Sequence, residues 1–183
     1  MSLNLSHHFL ISMPSLEDAF FKKSLVYIFQ HDQEGCIGAI INKPVATTLD
    51  QLLPEIETEF PYADAKLPLH FGGPVSMEQG MIIHSKKIND EHCLHNGFIQ
   101  FSHSLTALKE IVRHSYHSDF LICMGYSGWS PGQIEEELKD NAWLPVEADL
   151  EILFHKNPYV KYDLALQKLG IDPAFMSQSG GNA

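Results

Sequence analysis

Three short segments of this chain combine glycine or proline with side chains that could hold a ligand. They are NKP at residues 42–44, FGGP at residues 71–74 and GYSGW at residues 125–129, and each follows an apolar run. If the three turns meet at one edge of a sheet, they form a concave patch that suits a small ligand or a peptide. With one residue of the following helix, the predicted ligand- or partner-binding residues are Asn42, Lys43, Pro44, Phe71, Gly72, Gly73, Pro74, Gly125, Tyr126, Ser127, Gly128, Trp129 and Gln133. Three independent turns without a shared patch are the alternative.

The GYSGW segment invites comparison with the nucleophile elbow G-x-S-x-G of serine hydrolases. Gly125 and Ser127 fit that pattern, but Trp129 stands where the elbow needs glycine because its helix crosses the strand closely. We therefore assign no catalytic residue. An enzyme remains the alternative, with Ser127 or Lys43 acting in the same groove and a histidine as the base.

The eleven histidines and three cysteines do not form a recognisable metal-binding pattern. The groups that come nearest to one are His92, Cys93 and His95, and the pair His114 and His117. Neither group has a strong zinc spacing, and the chain has no CxxC pair. The sequence therefore predicts no metal and no cofactor.

The cysteines and the apolar runs indicate a cytoplasmic protein. An odd number of cysteines without a CxxC pair fits a reducing compartment better than a disulfide framework. Cys36 and Cys123 lie inside apolar runs, which predicts that both are buried. The first twenty residues do not resemble a signal peptide, and runs such as residues 120–124 are too short to span a bilayer. We therefore expect a soluble protein with no membrane contact.

The charge of the chain argues against nucleic acid as a partner. Twelve basic and 23 acidic residues give a net charge of -11, which repels phosphate backbones. Lys22, Lys23, Lys86 and Lys87 are too few to bind a duplex. The expected partner is an unknown small molecule or protein, and the oligomeric state stays open.

Apolar and β-branched runs alternate with turn residues, which predicts a mixed sheet. The predicted strands cover residues 24–30, 36–42, 80–85, 97–102, 119–126 and 149–155. The first two form a hairpin, and Gly38 within it indicates a bulge or a close backbone approach. The run at residues 119–126 is apolar throughout, so that strand is expected to be buried on both faces.

The helix after GYSGW has the clearest start signal in the chain. Ser130 is the predicted N-cap, Pro131 takes the first helical position, and Gln133 completes a capping box. Glu135 is expected to pair with Lys139 one turn later. Further helices are predicted after Thr48, over residues 105–115 and over residues 158–169, and residues 54–68 are expected to form a surface connection.

Several motifs in order resemble the YqgE/AlgH family of bacterial proteins. They are the stretch from HHFLISMPSLEDAFF to GCIGAIINKP, then FGGPV, then GYSGWSPGQIEEELKDNAWL, and finally LQKLGIDP. Four positions depart from the pattern. Gln30 replaces the glutamate expected before His31, Lys43 replaces a common arginine, and Ser127 and Ser130 stand where alanine and glycine are frequent. An amide cannot act as a general base, so Gln30 argues against glutamate–histidine chemistry at that point.

The resemblance implies an α+β fold with a bent, bifurcated sheet wrapped into a pseudo-barrel and helices outside. It implies no established activity, although one relative is called a transcriptional regulator. We expect a single domain over residues 1–176 and a disordered polar tail over residues 177–183. The expected function is a non-catalytic ligand- or protein-binding or regulatory protein that acts indirectly. An enzyme with an unrecognised site in the groove is the first alternative, and a transcriptional regulator is the second.

Overall fold

Ten strands form one curled sheet in the part of the chain that is described. The computed structural model describes residues 3–54, 67–85, 87–88, 93–113 and 119–178. The strands are β1 His8–Ser12, β2 Leu25–Asp32, β3 Gly35–Ile40, β4 Pro44–Thr48, β5 Pro68–Phe71, β6 Val75–His84, β7 Leu94–His95, β8 Gln100–Ser102, β9 Phe120–Trp129 and β10 Trp143–Glu147.

Short helices cover the sheet. They are α1 Leu49–Leu52, α2 Leu105–Arg113, α3 Gln133–Lys139, α4 Leu150–Leu153, α5 Lys161–Lys168 and α6 Pro173–Gln178, with a 3₁₀ turn at Pro158–Val160. None of the helices in the described ranges is long and apolar enough to cross a membrane.

The sheet branches at β9, which confirms the mixed and bifurcated architecture. The main path runs β10-β1-β2-β3-β9-β6-β8-β7, and β5 joins β9 off this path and carries β4. The pair β5–β9 is parallel, and the other pairs are antiparallel. The first half of β9 therefore pairs with β5 at residues 122–124, and its last three residues pair with β3.

The central strands are apolar on both faces because both faces are covered. Along β2, Leu25, Tyr27 and Phe29 point into one core cluster, whereas Val26 and Ile28 point into another. This is the two-residue period of a strand, with both faces excluded from water. Both cysteines predicted to be buried are in these cores, since Cys36 is 2% and Cys123 is 0% exposed.

Two predicted elements are wrong. GYSGW is not a turn, because β9 continues through it to Trp129 and pairs with β3 there. Residues 149–155 are not a strand, because Asp149 caps helix α4 by accepting hydrogen bonds from the N–H groups of Glu151 and Ile152. The last strand is β10 instead, and it adds to the edge of β1. Short apolar runs do not distinguish helix from strand by periodicity alone.

Some predictions fall outside the described residues. They concern most of the connection at 54–68, Lys86, His92, the pair His114 and His117, and residues 179–183 of the tail. The start of that tail, at residues 177–178, belongs to helix α6. The division into a domain over residues 1–176 and a tail stays a prediction.

Candidate functional site

The three predicted segments do meet, through hydrogen bonds to main-chain carbonyls. The Phe71 N–H donates to the Lys43 carbonyl at 2.8 Å, and the Gly72 carbonyl accepts from the Ile40 N–H at 2.8 Å. The Ser127 hydroxyl donates to that same Gly72 carbonyl at 3.0 Å. The join is built at the branch point of the sheet, where β3, β5 and β9 come together.

Close backbone packing explains three glycines of this join. A Cβ atom on Gly72 would lie 2.2 Å from the Gly125 oxygen, and one on Gly73 would lie 2.3 Å from the Tyr126 oxygen. Gly125 has a φ of +68°, and its own Cβ would lie 2.5 Å from the Gly73 oxygen. Gly72, Gly73 and Gly125 are buried, so they close the branch point rather than form an open wall.

The polar side chains of the NKP segment hold neighbouring loops. Asn42 accepts a hydrogen bond from the Leu25 N–H at 2.8 Å and donates one to the Lys23 carbonyl at 2.9 Å. Lys43 Nζ donates to the Phe20 carbonyl at 2.6 Å, and partial burial lowers the pKa of this lysine. The ring of Phe71 stacks on that of Phe20 at 5.6 Å. Lys43 and Phe71 therefore support the loop before β2.

Ser127 cannot serve as an accessible nucleophile in this conformation. The residue is 0% exposed, and its hydroxyl proton is directed to the Gly72 carbonyl. A serine nucleophile needs a neighbouring base and access for the substrate. The structure gives Ser127 a role in closing the branch point.

Trp129 belongs to a partly buried polar contact beside helix α3. Its indole N–H donates to Glu137 Oε2 at 3.0 Å, and the indole of Trp143 donates to the same oxygen at 2.7 Å. Gln133 donates to the other Glu137 oxygen at 2.8 Å and accepts from the Ser130 N–H at 3.0 Å. The contact from the Ser130 N–H to Gln133 is thus present, but the prediction of Ser130 as N-cap and Pro131 as first helical residue is wrong, because the helix begins at Gln133 and its N-cap is Gly132.

An open cleft of about 360 Å³ lies on the outer side of β3 and β9. Gly128 is exposed within β9 and pairs with Ile37 of β3. A Cβ at Gly128 would meet only ordinary contacts, with Tyr126 at 3.5 Å and Val75 at 3.9 Å. Close backbone packing does not account for this glycine, unlike those of the branch point. Its missing side chain leaves a trough between Tyr126, Ile37 and Val75, which we call the Gly128 cleft.

Polar residues of the β2–β3 hairpin and the start of the α3 region complete the Gly128 cleft. Its full lining is Gln30, Asp32, Glu34, Gly35, Cys36, Ile37, Val75, Tyr126, Gly128, Trp129, Ser130 and Pro131. Only Tyr126, Gly128 and Trp129 were among the predicted site residues. The β2–β3 hairpin itself was predicted from the sequence, but the pairing of β3 with the GYSGW region, which brings the hairpin to the cleft, was not.

A second group of ionisable side chains is sealed in the core. Lys161 is fully buried and donates to the Leu153 carbonyl at 2.7 Å, and burial lowers its pKa to about 8. His70 is 3% exposed, and its Nδ1 has no partner among the described residues. Burial and then the Lys161 charge lower the pKa of His70 to about 4. Burial raises the pKa of Cys123 to about 12. These groups have no path to a ligand in this conformation.

The comparison with known proteins places the chain in a family. Residues 9–174 match the family described as AlgH-like. The chain is 37% identical over 187 residues to a UPF0301 protein of Vibrio cholerae, which covers 99% of this chain and 100% of the relative. It is 41% identical over 182 residues to a UPF0301 protein of Neisseria gonorrhoeae, with 99% and 100% covered. The chain belongs to the AlgH-like family.

Two solved structures share the fold. The solution structure of the AlgH protein from Pseudomonas aeruginosa has a TM-score of 0.79 and 32% identity, and the match covers 100% of this chain and 98% of that chain. A crystal structure from Corynebacterium diphtheriae has a TM-score of 0.74 at 16% identity, which shows the fold alone, and covers 99% and 94%. The resemblance and the α+β fold are both confirmed. Function has to be argued from the site.

His31 has a carboxylate partner even though Gln30 replaces the glutamate expected beside it. Gln30 stands where a glutamate was expected beside His31, but His31 Nε2 meets Glu135 Oε1 of helix α3 at 3.0 Å. Nδ1 of the same ring accepts the Leu5 N–H at 3.1 Å. Both ring nitrogens are engaged, so the pair ties the N-terminal segment, β2 and α3 together. The expected Glu135–Lys139 pair is wrong, because Lys139 binds Glu136 at 2.6 Å.

Proposed function

We propose that this protein is a non-catalytic, cytoplasmic binding protein that holds a small ligand in the Gly128 cleft and acts indirectly on its process. The observation that carries this proposal is the open glycine near the end of β9, at a position that still pairs with β3. A β-branched residue would suit a paired strand position better than glycine. Gly128 instead leaves a trough with aromatic and aliphatic walls and polar groups at its rim, which is the usual composition of a small-ligand site.

The reactive side chains around the cleft support binding rather than catalysis. Both ring nitrogens of His31 are hydrogen-bonded, and the Ser127 hydroxyl is buried. Burial raises the pKa of Cys36 to about 12, so at neutral pH its sulfur is a thiol rather than the nucleophilic thiolate. The net charge of -11 likewise argues against regulation by direct DNA contact.

Filling the trough tests the proposal. Gly128→Val should leave the fold intact, because the added atoms project into the cleft and valine favours a strand. A fragment pool of neutral, cationic and anionic aromatic compounds is screened by ligand-detected NMR against the wild type and this variant. We expect fragments that bind the wild type to lose at least about tenfold in affinity in Gly128→Val, since the variant occupies their volume.

Gly80→Val is the matched control. Gly80 is also a strand glycine, and no described atom lies within 4 Å of the position that a Cβ would take there, but it belongs to β6 and faces a different groove. Binding that survives Gly128→Val, or that Gly80→Val removes instead, would contradict the proposal. So would the absence of any fragment whose binding depends on Gly128.

A further inference from the structure

The rim of the Gly128 cleft carries charge of one sign. Asp32 and Glu34 bring carboxylates from the β2–β3 hairpin, and the described lining includes no lysine, arginine or histidine. Glu135 and Glu136 of helix α3 lie outside this lining and are already engaged, Glu135 with His31 and Glu136 with Lys139. An approaching ligand therefore meets a negative rim without a neutralising side chain in the lining.

The Asp32 carboxylate is oriented by its own hairpin. Gln30 donates to one carboxylate oxygen, and the Glu34 N–H donates to the other at 2.8 Å. These two contacts, the Gln30 amide first, lower the pKa of Asp32 below its usual value. The group is thus held as an anion, and its orientation does not have to be fixed by the ligand.

The floor of the cleft adds a surface that suits a flat apolar group. The Tyr126 ring lies beside Gly128, 3.5 Å from the position of a Cβ there. Ile37 and Val75 form the remaining walls near it. An aromatic ring of a ligand can pack against the Tyr126 ring in a stacked or edge-to-face arrangement. The volume of the cleft and its apolar floor therefore support the proposal separately from the charges at the rim.

We propose that the Gly128 cleft takes a ligand with a positively charged nitrogen attached to a flat apolar group, the nitrogen at the Asp32–Glu34 rim and the apolar group on the Gly128 floor. This rests on the proposed function and adds the chemical class of the ligand. Phosphorylated and carboxylate-bearing ligands are disfavoured, because their charge would meet carboxylates on entry. The rim is open to solvent, so the charges contribute selectivity more than affinity.

A matched series of three probes tests the ligand class. The probes are 4-fluorobenzylammonium, 4-fluorobenzyl alcohol and 4-fluorobenzoate, which share one ring and differ in charge. Each is titrated into the wild-type protein at low ionic strength and followed by ¹⁹F NMR. We expect the ammonium to bind most tightly, the alcohol less and the benzoate least, with the preference for the ammonium falling as salt is added.

Removing the two rim charges should remove that preference. The double variant Asp32→Asn and Glu34→Gln keeps an oxygen acceptor for the hairpin turn and should weaken ammonium binding about fivefold, with little effect on the alcohol. The control is Glu147→Gln with Glu151→Gln, two exposed carboxylates remote from the cleft lining. The control should bind all three probes like the wild type.

The outcomes separate the two levels of the proposal. If the probes bind in a Gly128-dependent manner but the ammonium has no advantage, or the double variant binds it unchanged, the cation assignment is wrong and the binding site stands. The same holds if only other members of the fragment pool bind. If Gly128→Val abolishes no binding at all, both the site and its ligand class are wrong.

Discussion

His70 and Lys161 are two ionisable groups buried in the core, at 3% and 0% exposed. The Lys161 ammonium has one acceptor, the last carbonyl of helix α4, and the His70 ring has a hydrogen bond to the main chain of Ile122. Burying such groups costs free energy unless they lose their charge or find partners. The pKa of each is lowered for that reason, with consequences for stability as the pH changes.

Acid should destabilise the fold through His70. Its pKa is about 4 in the folded state against 6.5 for an unperturbed ring, so below pH 6.5 the unfolded chain binds the proton more readily. The free energy of unfolding is therefore not reduced by His70 above pH 6.5. It falls as the pH drops from 6.5 towards 4, by about 3 kcal/mol in total. Urea unfolding at pH 7, 5.5 and 4.5 measures this loss.

The variant His70→Leu isolates this effect from other titrating groups. Its unfolding free energy should fall less steeply with acid than that of the wild type, because its core side chain does not titrate. His155→Gln, at an exposed position, should keep the wild-type slope. If the free energy of unfolding depended on pH equally in the wild type and in His70→Leu, the lowered pKa of His70 in the folded state would be contradicted.

The glycines show how much a sequence tells about single residues. Gly72, Gly73, Gly125 and Gly128 all stood in the predicted patch, and all four belong to the region where the three segments meet. Their environments differ, since three face backbone atoms within 2.5 Å and Gly128 faces a cleft. The identity of a residue does not show which atoms face it across the sheet. The sequence alone could therefore not distinguish a glycine required by close backbone packing from a glycine that forms the floor of an open cleft.

At the scale of elements, Glu137 joins helix α3 to two strands. One of its oxygens accepts the indole N–H groups of both Trp129 in β9 and Trp143 in β10. These indoles are 6% and 3% exposed, so water has little access to replace a lost acceptor. The contact fixes α3 against β10 and against β9, which borders the Gly128 cleft.

Glu137→Ala should lower the free energy of unfolding by about 3 kcal/mol, because it leaves two buried donors without an acceptor. Glu137→Gln keeps an oxygen at that place and should lose about 1 kcal/mol. Denaturant titration followed by tryptophan fluorescence is suitable, since these are the two tryptophans of the chain. A stability of Glu137→Ala within about 0.5 kcal/mol of the wild type would contradict the role of this contact.

Element prediction succeeded where a local signal and the packing agreed. The β2–β3 hairpin and the buried strand β9 followed from continuous apolar runs separated by turn residues. The end of β9 was missed because Gly125, Gly128 and a following proline are turn signals, while pairing with β3 continues the strand. β10 contains Pro145 and lies at the edge of the sheet, where proline is tolerated. Both the end of β9 and β10 are determined by pairing with strands far away in the sequence, and local sequence patterns do not show such pairing.

At the scale of the whole molecule, charge should govern solubility. The net charge is -11 with all eleven histidines neutral, so protonation of the histidines would offset it. His7 and His70 resist protonation, because burial lowers the pKa of each. We therefore expect the solubility minimum at or below the sequence-based isoelectric point of about 5.3. Turbidity across pH 4–8 measures this, and a minimum above pH 7 would contradict it.

The overall architecture was predicted from the family resemblance rather than from local patterns. Hydrophobic patterning indicated a mixed sheet, and the resemblance supplied its bend and its branch. The convergence of the NKP, FGGP and GYSGW segments was a hypothesis about contacts far apart in the chain. The structure brings them together at β9, but the open cleft is lined by the β2–β3 hairpin, including Asp32 and Glu34, and by no residue of NKP or FGGP.

Mapping a bound fragment onto the main chain tests the Gly128 cleft most directly. The ¹⁵N-labelled wild-type protein is titrated with 4-fluorobenzylammonium, and the amide shifts are followed residue by residue. We predict the largest changes at Ile37, Tyr126 and Gly128, and their loss in Gly128→Val. Changes confined to the separate groove of about 350 Å³ lined by Leu52, Leu105 and Met124, or saturable changes at no single place, would contradict a ligand site on this face of the sheet.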